Sequence, residues 1–166
     1  MVQMSAAVIR PADQPGDLGW VLQAHGELYA AEYGWGLPFE ALVARIVADY
    51  AEAHDPARET AWIAEVGGER AGCIFCVQGP DESTAKLRLL LLTPAARGQG
   101  LGGRLVDTCL AFARDADYKR MVLWTNDPLE AARNIYLRRG FTLTGSEPHT
   151  LFGEGLISQY YELDLT

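Results

Sequence analysis

Arg97-Gly98-Gln99-Gly100-Leu101-Gly102-Gly103 sets one fixed positive charge beside a run of bare backbone. The apolar run Leu89 to Leu92 precedes it and ends at Thr93-Pro94; Leu101, Leu105, Val106 and Cys109 follow at helical spacing. This pattern predicts a buried strand, a glycine turn and a helix start. Free N–H groups at a helix start, with the positive end of its dipole, make a site for phosphate. A P-loop is excluded, because no lysine followed by Ser or Thr closes the turn. Gly98, Gly100 and Gly103 also fit the dinucleotide-binding spacing, with Asp127 near the distance of its ribose acid. Little more than one further strand–helix unit follows them, however, and a doubly wound sheet needs more. A glycine turn that only packs helix on strand is the third reading.

The bulk properties narrow what this turn can serve. The chain has 166 residues, 49% hydrophobic and 22% charged, as in one ordinary soluble domain. Fourteen basic against twenty-two acidic residues give a net charge of -8, which argues against a nucleic-acid or anionic-membrane surface. An anionic ligand must then be met by local donors such as Arg97. No long apolar run and no charged-then-apolar leader occurs, so the expectation is a cytoplasmic protein without a membrane span. Cys73, Cys76 and Cys109 fit a reducing compartment. Cys73 and Cys76 lie three apart in an apparent strand, hence on opposite faces, and no second pair completes a metal site, so no metal is expected.

The elements that position the turn follow from periodicity. Ala6 to Arg10 reads as a strand ended by Pro11, and Pro15-Gly16-Asp17 as a turn that starts a helix. Leu18, Val21, Leu22, His25, Leu28 and Tyr29 share one helical face up to about Ala31. After Tyr33-Gly34-Trp35-Gly36 a second helix runs from Phe39 to Ala53, with Leu42, Ile46 and Tyr50 as its core stripe. Glu32, Tyr33 and Trp35 at this break either grip a small substrate or simply pack a connector on the sheet. Thr60–Val66 and Arg70–Gln78 form a hairpin on Gly67-Gly68. Beyond the glycine turn come a helix to Ala116, a strand over Met121–Thr125, and a helix with Asp127 as N-cap and Pro128 at its first position, stopping at Gly140. Phe141–Gly145 and Ile157–Leu165 close as strands. The fold class is α+β: a mixed, mostly antiparallel sheet with helices on both faces and one crossover at the glycine turn.

Arg97-x-x-Gly100-x-Gly102 after an apolar strand resembles the acyl-CoA signature of the GNAT superfamily of N-acetyltransferases. Asn134 to Phe141, NIYLRRGF, resembles that family's tyrosine helix, and the element order agrees along nearly the whole chain. More narrowly, Leu28–Trp35, Leu123–Asn126, and Glu147-Pro148-His149 with Phe152-Gly153 resemble the acetyltransferase half of MarR–GNAT fusion proteins; the DNA-binding half finds no room here. The resemblance implies acetyl-CoA as cofactor, held by Arg97, Gly98, Gln99, Gly100, Leu101, Gly102 and Gly103. It implies a central strand pair that splays, with the backbone of Leu91, Leu92 and Thr93 against the pantetheine arm and a bulge at Leu91–Leu92. Leu129 stands where many relatives carry a coenzyme-contacting Asn, a role Asn126 takes in part.

Acetyl transfer to an amine needs a neutral nucleophile, a donor for the carbonyl oxygen and a proton for the departing thiolate. Tyr136 is the proton donor, since a phenol near pKa ~10 lies close to a thiol near ~8.5; the alternative is a core aromatic. The strand offers Lys86 and Arg88 in place of a carboxylate, so the base is left among Glu32, Glu147, His149 and a water relay. Lys86 and Arg88 point to one face. Either they meet a substrate carboxylate, as in an amino acid, or they are solvated. Tyr33, Trp35, Arg88 and Glu147 are the expected substrate contacts. The expected partner is a small-molecule amine, with a homodimer left open. The rival functions are a non-catalytic acyl-CoA-binding module and an NAD-binding oxidoreductase.

Overall fold

The computed structural model describes residues 7–166. β1 (Val8–Pro11) is followed by α1 (Asp17–Tyr33) and α2 (Leu37–Ala53), then β2 (Thr60–Val66), β3 (Glu69–Gln78) and β4 (Thr84–Leu92). A 3₁₀ turn at Pro94–Ala96 leads to α3 (Leu101–Asp115), β5 (Arg120–Asn126), α4 (Glu130–Arg138), β6 (Thr142–His149) and β7 (Leu156–Asp164). The order is the one the periodicity predicts. Of the first predicted strand, Ala6 lies outside the described residues.

The strands form one sheet in the order β1-β2-β3-β4-β5-β7-β6. Every neighbour pair is antiparallel except β4 with β5, which α3 joins as a crossover. α1 and α2 cover one face, where Val21, Phe39 and Val43 pack on Ile63 and Phe75. α3 and α4 cover the other, where Leu105, Cys109 and Tyr136 pack on Leu87, Met121 and Leu123. Gly67 and Gly68 take φ of +61° and +79°, which lets the β2–β3 hairpin turn in two residues. Cys73 and Cys76 are unpaired, fully buried and belong to opposite faces of the sheet.

Asp17 ties the start of α1 to the sheet. It is 0% exposed and binds Arg10 at 2.8 Å, Arg70 at 2.9 Å and the Gln14 N–H at 2.9 Å. The Arg10 guanidinium above all, with the Gln14 N–H and Arg70, holds its carboxyl down at about 2 against the pull of burial.

Four details differ from the sequence expectations. The fully buried stripe of α2 is Phe39, Val43 and Val47; Leu42 and Tyr50 pack half-buried against that core as expected, while Leu42 and Ile46 also border a cavity. α4 starts at Glu130, because the Asp127 carboxylate accepts the Ile157 N–H at 2.9 Å instead of capping a helix. β6 runs on to His149, into the predicted connector. The bulge falls at Leu89–Leu90: Cys73 pairs with Leu91 and Phe75 with Arg88, so two residues of β4 oppose Ile74 alone. Leu91 and Leu92 keep regular partners in Cys73 and Gly72.

Candidate active site

β4 and β5 pair only from Thr84–Arg120 to Leu87–Leu123 and then part. Beyond that point β4 has no strand on its β5 side, which leaves a backbone edge for an extended ligand. Leu89, at the bulge, holds φ +55°, a left-handed conformation that costs a leucine about 1–2 kcal/mol. Strain of this kind is stored where surrounding structure fixes it, and often at functional sites. Here the Tyr29 hydroxyl donates to the Leu90 carbonyl at 3.4 Å and the Cys73 thiol to that of Leu89 at 3.1 Å.

A cavity of about 240 Å³ opens at the splay, walled by α1, α2, β4, β5, α4 and the start of α3. It brings together Glu32, Tyr33, Trp35, Arg88, Leu91, Leu92, Arg97, Gly102, Asn126 and Tyr136 from the expected set. Thr93, Gly98, Gln99, Gly100, Leu101 and Gly103 surround its α3 end without lining it. The 17-residue α1 ends on Gly34 at φ +73°, a glycine C-cap that turns the chain so that Tyr33 and Trp35 fold back onto the wall. Trp35 is 3% exposed and packs on Tyr29, Phe39 and Phe152, so the aromatic break both packs on the core and faces the cavity.

At the α3 end, Gly100 caps the helix at φ +77° with no side-chain hydrogen bond, so the first-turn N–H groups point outward without a side-chain acceptor. A methyl on Gly98 or Gly100 would meet nothing within 4 Å. Gly102 and Gly103 serve a different need: a Cβ there would lie 2.8 Å from Ile135 Cδ1 and 2.5 Å from an Arg139 nitrogen. These two let α3 pack on α4, while Gly98 and Gly100, both at positive φ, shape the open turn. Arg97 donates to the Leu92 carbonyl at 3.2 Å and pairs with Glu32 at 2.7 Å across the mouth.

Tyr136 is 4% exposed, packs its ring against Phe141 and lines the cavity. Burial above all, with Tyr29 and Cys109, pushes the phenol well above its ordinary value, so it stays neutral.

Two expected residues are not brought to the cavity. His149 lies behind Asn126: Nε2–H donates to Asn126 Oδ1 at 2.5 Å, and Nδ1 accepts the Leu151 N–H at 3.2 Å. With both nitrogens engaged, the ring orients Asn126 and has no free lone pair for a substrate. Glu147 accepts the Tyr160 hydroxyl at 2.9 Å on the exposed side of β6.

Two cavity residues escaped the sequence reading. His25 Nδ1–H donates to the Val21 carbonyl at 2.8 Å, which leaves Nε2 as a buried acceptor without a hydrogen-bond partner. Burial lowers this histidine to about 4, so it is neutral. Trp124 Nε1 is likewise buried without an acceptor. A histidine on an otherwise apolar helix face was the one available signal for the first; the second lay within the Leu123–Asn126 stretch singled out above, without a role of its own.

The model of the acetyltransferase (GNAT) family matches residues 22–141. N-acetyltransferase 8F1 of Rattus norvegicus is 34% identical over 125 residues, covering 70% of this chain and 57% of that protein. N-acetyltransferase 8B of Mus musculus is 36% identical over 95 residues, covering 55% and 41%. The chain thus spans about half the length of the curated relatives it matches. A Salmonella typhimurium protein described as an acetyltransferase and solved with its cofactor acetyl-CoA superposes with a TM-score of 0.74 at 20% identity, over 98% of this chain and 95% of that one. An N-acetyltransferase of Staphylococcus aureus Mu50 gives 0.74 at 20% identity, over 98% and 100%.

Proposed function

Since the chain belongs to the GNAT acetyltransferase family, we propose that it is an acetyl-CoA-dependent N-acetyltransferase that acylates a small-molecule amine directly in a ternary complex. The observation that carries this reading is the cavity at the β4–β5 splay. It runs from an open helix N-terminus beside Arg97 to a buried, neutral Tyr136. The residues fit the coenzyme: the α3 turn and Arg97 would hold its pyrophosphate, and the unpaired edge of β4 over Leu91–Thr93 its extended arm. Acetyl-CoA supplies an acetyl thioester whose C–S bond is exchanged for an amide C–N bond, so one proton leaves the amine and one reaches the sulfur.

Tyr136 holds the proton for the sulfur on its phenol oxygen. Glu32 is the proton acceptor of choice, because among the sequence candidates it alone lines the cavity, and at 26% side-chain exposure it can pass a proton to solvent. Its partner Arg97 is the same guanidinium a pyrophosphate would engage, so coenzyme binding and release of the carboxylate are linked. Direct transfer, without an acyl-enzyme, is supported by the cysteines: all three are fully buried, and burial raises Cys73 and Cys109 far above the range of a useful thiolate. Free cysteines also support the cytoplasmic setting expected from the sequence. No helix among the described residues is long and apolar enough to cross a membrane.

Within the family we place the chain beside the acetyltransferase halves of MarR–GNAT fusions. Two of the stretches that carry this likeness, Leu28–Trp35 and Leu123–Asn126, supply facing walls of the cavity. The test is acetyl-CoA turnover with an amine panel, read as free thiol. Amine-dependent thiol release supports the enzyme. Tight acetyl-CoA binding with no release for any amine favours a non-catalytic binding module. A thermal shift with NAD in place of acetyl-CoA favours an oxidoreductase.

A further inference from the structure

Two cations in the cavity wall have no acid to answer them. Ala85 and Leu87 of β4 pack on the α3 side of the sheet, so Lys86 and Arg88 face the α2 side, and both line the cavity. Among the described residues neither takes part in an ion pair. Both are half-buried, and burial makes each less willing to carry its charge; Arg88 adds to this at Lys86, and Asp49 of α2 works against it at Arg88. Asp49 acts from beyond ion-pair distance. Withdrawing two cations from water without a partner is costly. In a chain with twenty-two acidic residues that cost would be simple to relieve.

The facing strand adds no acid: Trp124, on β5 just past the point where the strands part, lines the same wall, and Glu32 is the one carboxylate among the described lining residues. Arg97, by contrast, is matched by Glu32. The coenzyme's phosphates at the α3 turn do not serve these two cations: Arg88 pairs with Phe75 and Leu92 with Gly72, so they lie three residues of β3, roughly 10 Å, apart before the turn begins. In the same wall stand Leu42 and Ile46, two half-buried side chains of α2.

On the acetyl-transfer reading above, we propose that Lys86 and Arg88 form an anion subsite for the acceptor, which is therefore an apolar α-amino acid: its carboxylate sits on these cations and its side chain against Leu42 and Ile46. Polyamines, aminoglycosides and lysine side chains lack the matching anion.

Binding and turnover test this separately. N-acetyl-leucine and N-acetyl-leucinamide are titrated calorimetrically into CoA-saturated wild type, Arg88→Gln and Arg88→Lys. Thiol release is measured with leucine, methionine and phenylalanine against their carboxamides. The acid is expected to bind roughly 10- to 100-fold tighter than the amide, the worth of a hydrogen-bonded charge. Arg88→Gln should erase that preference and Arg88→Lys should keep part of it, with acetyl-CoA raising the Tm of both variants to show that they fold. Equal binding of acid and amide, or a preference that survives Arg88→Gln, overturns the subsite. Acids and amides acetylated at equal rates overturn it while acetyl transfer stands. An acid preference that depends on Arg88, with no thiol released from any amine, upholds the subsite and removes the transfer reading.

Discussion

Replacing Tyr136 by phenylalanine takes one oxygen from the cavity wall and little else. The ring lies 5.7 Å from Phe141 and 6.4 Å from Tyr161 between centroids, contacts that a phenyl group keeps. No described residue hydrogen-bonds to the hydroxyl, so no buried partner is orphaned and stability should change by less than about 1 kcal/mol. What disappears is the proton. A positioned general acid is worth about 10²–10⁴ in rate, or about 3–5 kcal/mol of barrier. The expected result is a kcat lower by that factor in the free-thiol assay, with the acetyl-CoA Kd from calorimetry unchanged. Because burial raises the phenol above its ordinary value of 10.0, Tyr136 should add no falling alkaline limb to the wild-type kcat profile below that pH. A Tyr136→Phe enzyme with wild-type kcat refutes the assignment. So does one whose loss is matched by an equal loss of acetyl-CoA binding, since that would make Tyr136 a coenzyme contact.

Three further outcomes follow from named contacts. Arg97→Gln removes the guanidinium from the α3 turn and should weaken acetyl-CoA binding roughly 10- to 100-fold in calorimetry; an unchanged Kd would take Arg97 out of the site. Gly72→Ala puts a methyl 2.7 Å from Leu92 Cδ2 and 2.9 Å from the Leu91 carbonyl oxygen, where the backbone cannot yield. It should cost about 2–3 kcal/mol by urea denaturation, against about 1–2 kcal/mol for Gly100→Ala, whose φ of +77° is the sole obstacle; equal costs would contradict the close approach of β3 and β4. His25 sits at about 4 when folded against 6.5 unfolded, so the unfolded chain binds its proton first as pH falls. Its share of stability is whole above pH 6.5 and is lost down to about pH 4, about 3 kcal/mol in all. A urea series across that window should show the slope in wild type and not in His25→Gln.

The sequence carried the frame of this site and concealed its lining. Periodicity and turn chemistry are local, so the hairpin glycines, the Gly34 and Gly140 stops and the glycine turn could be read directly. The bulge could not. Four leucines in a row, Leu89 to Leu92, carry no mark of where the extra residue falls, and only pairing with Cys73 and Phe75 fixes it at Leu89–Leu90. The N-cap role given to Asp127 failed for a similar reason, because a carboxylate that can cap a helix can equally bind a distant N–H, here that of Ile157. His149 and Glu147 have the right chemistry for a base, but their partners Asn126 and Tyr160 are set by the β5–β7–β6 packing. The orphaned His25 Nε2 and Trp124 Nε1 are properties of the assembled cavity, as is the Arg97–Glu32 pair that closes its mouth.

Transfer of an acetyl group from acetyl-CoA to an amine in the splayed β4–β5 cavity is decided by mixing purified protein with acetyl-CoA and a panel of free amino acids and weighing the products by mass spectrometry. An amine heavier by one acetyl group, matched in amount by free CoA and lost on Tyr136→Phe, is the expected product. Acetyl-CoA that binds and stays intact with every amine would rule the transfer out.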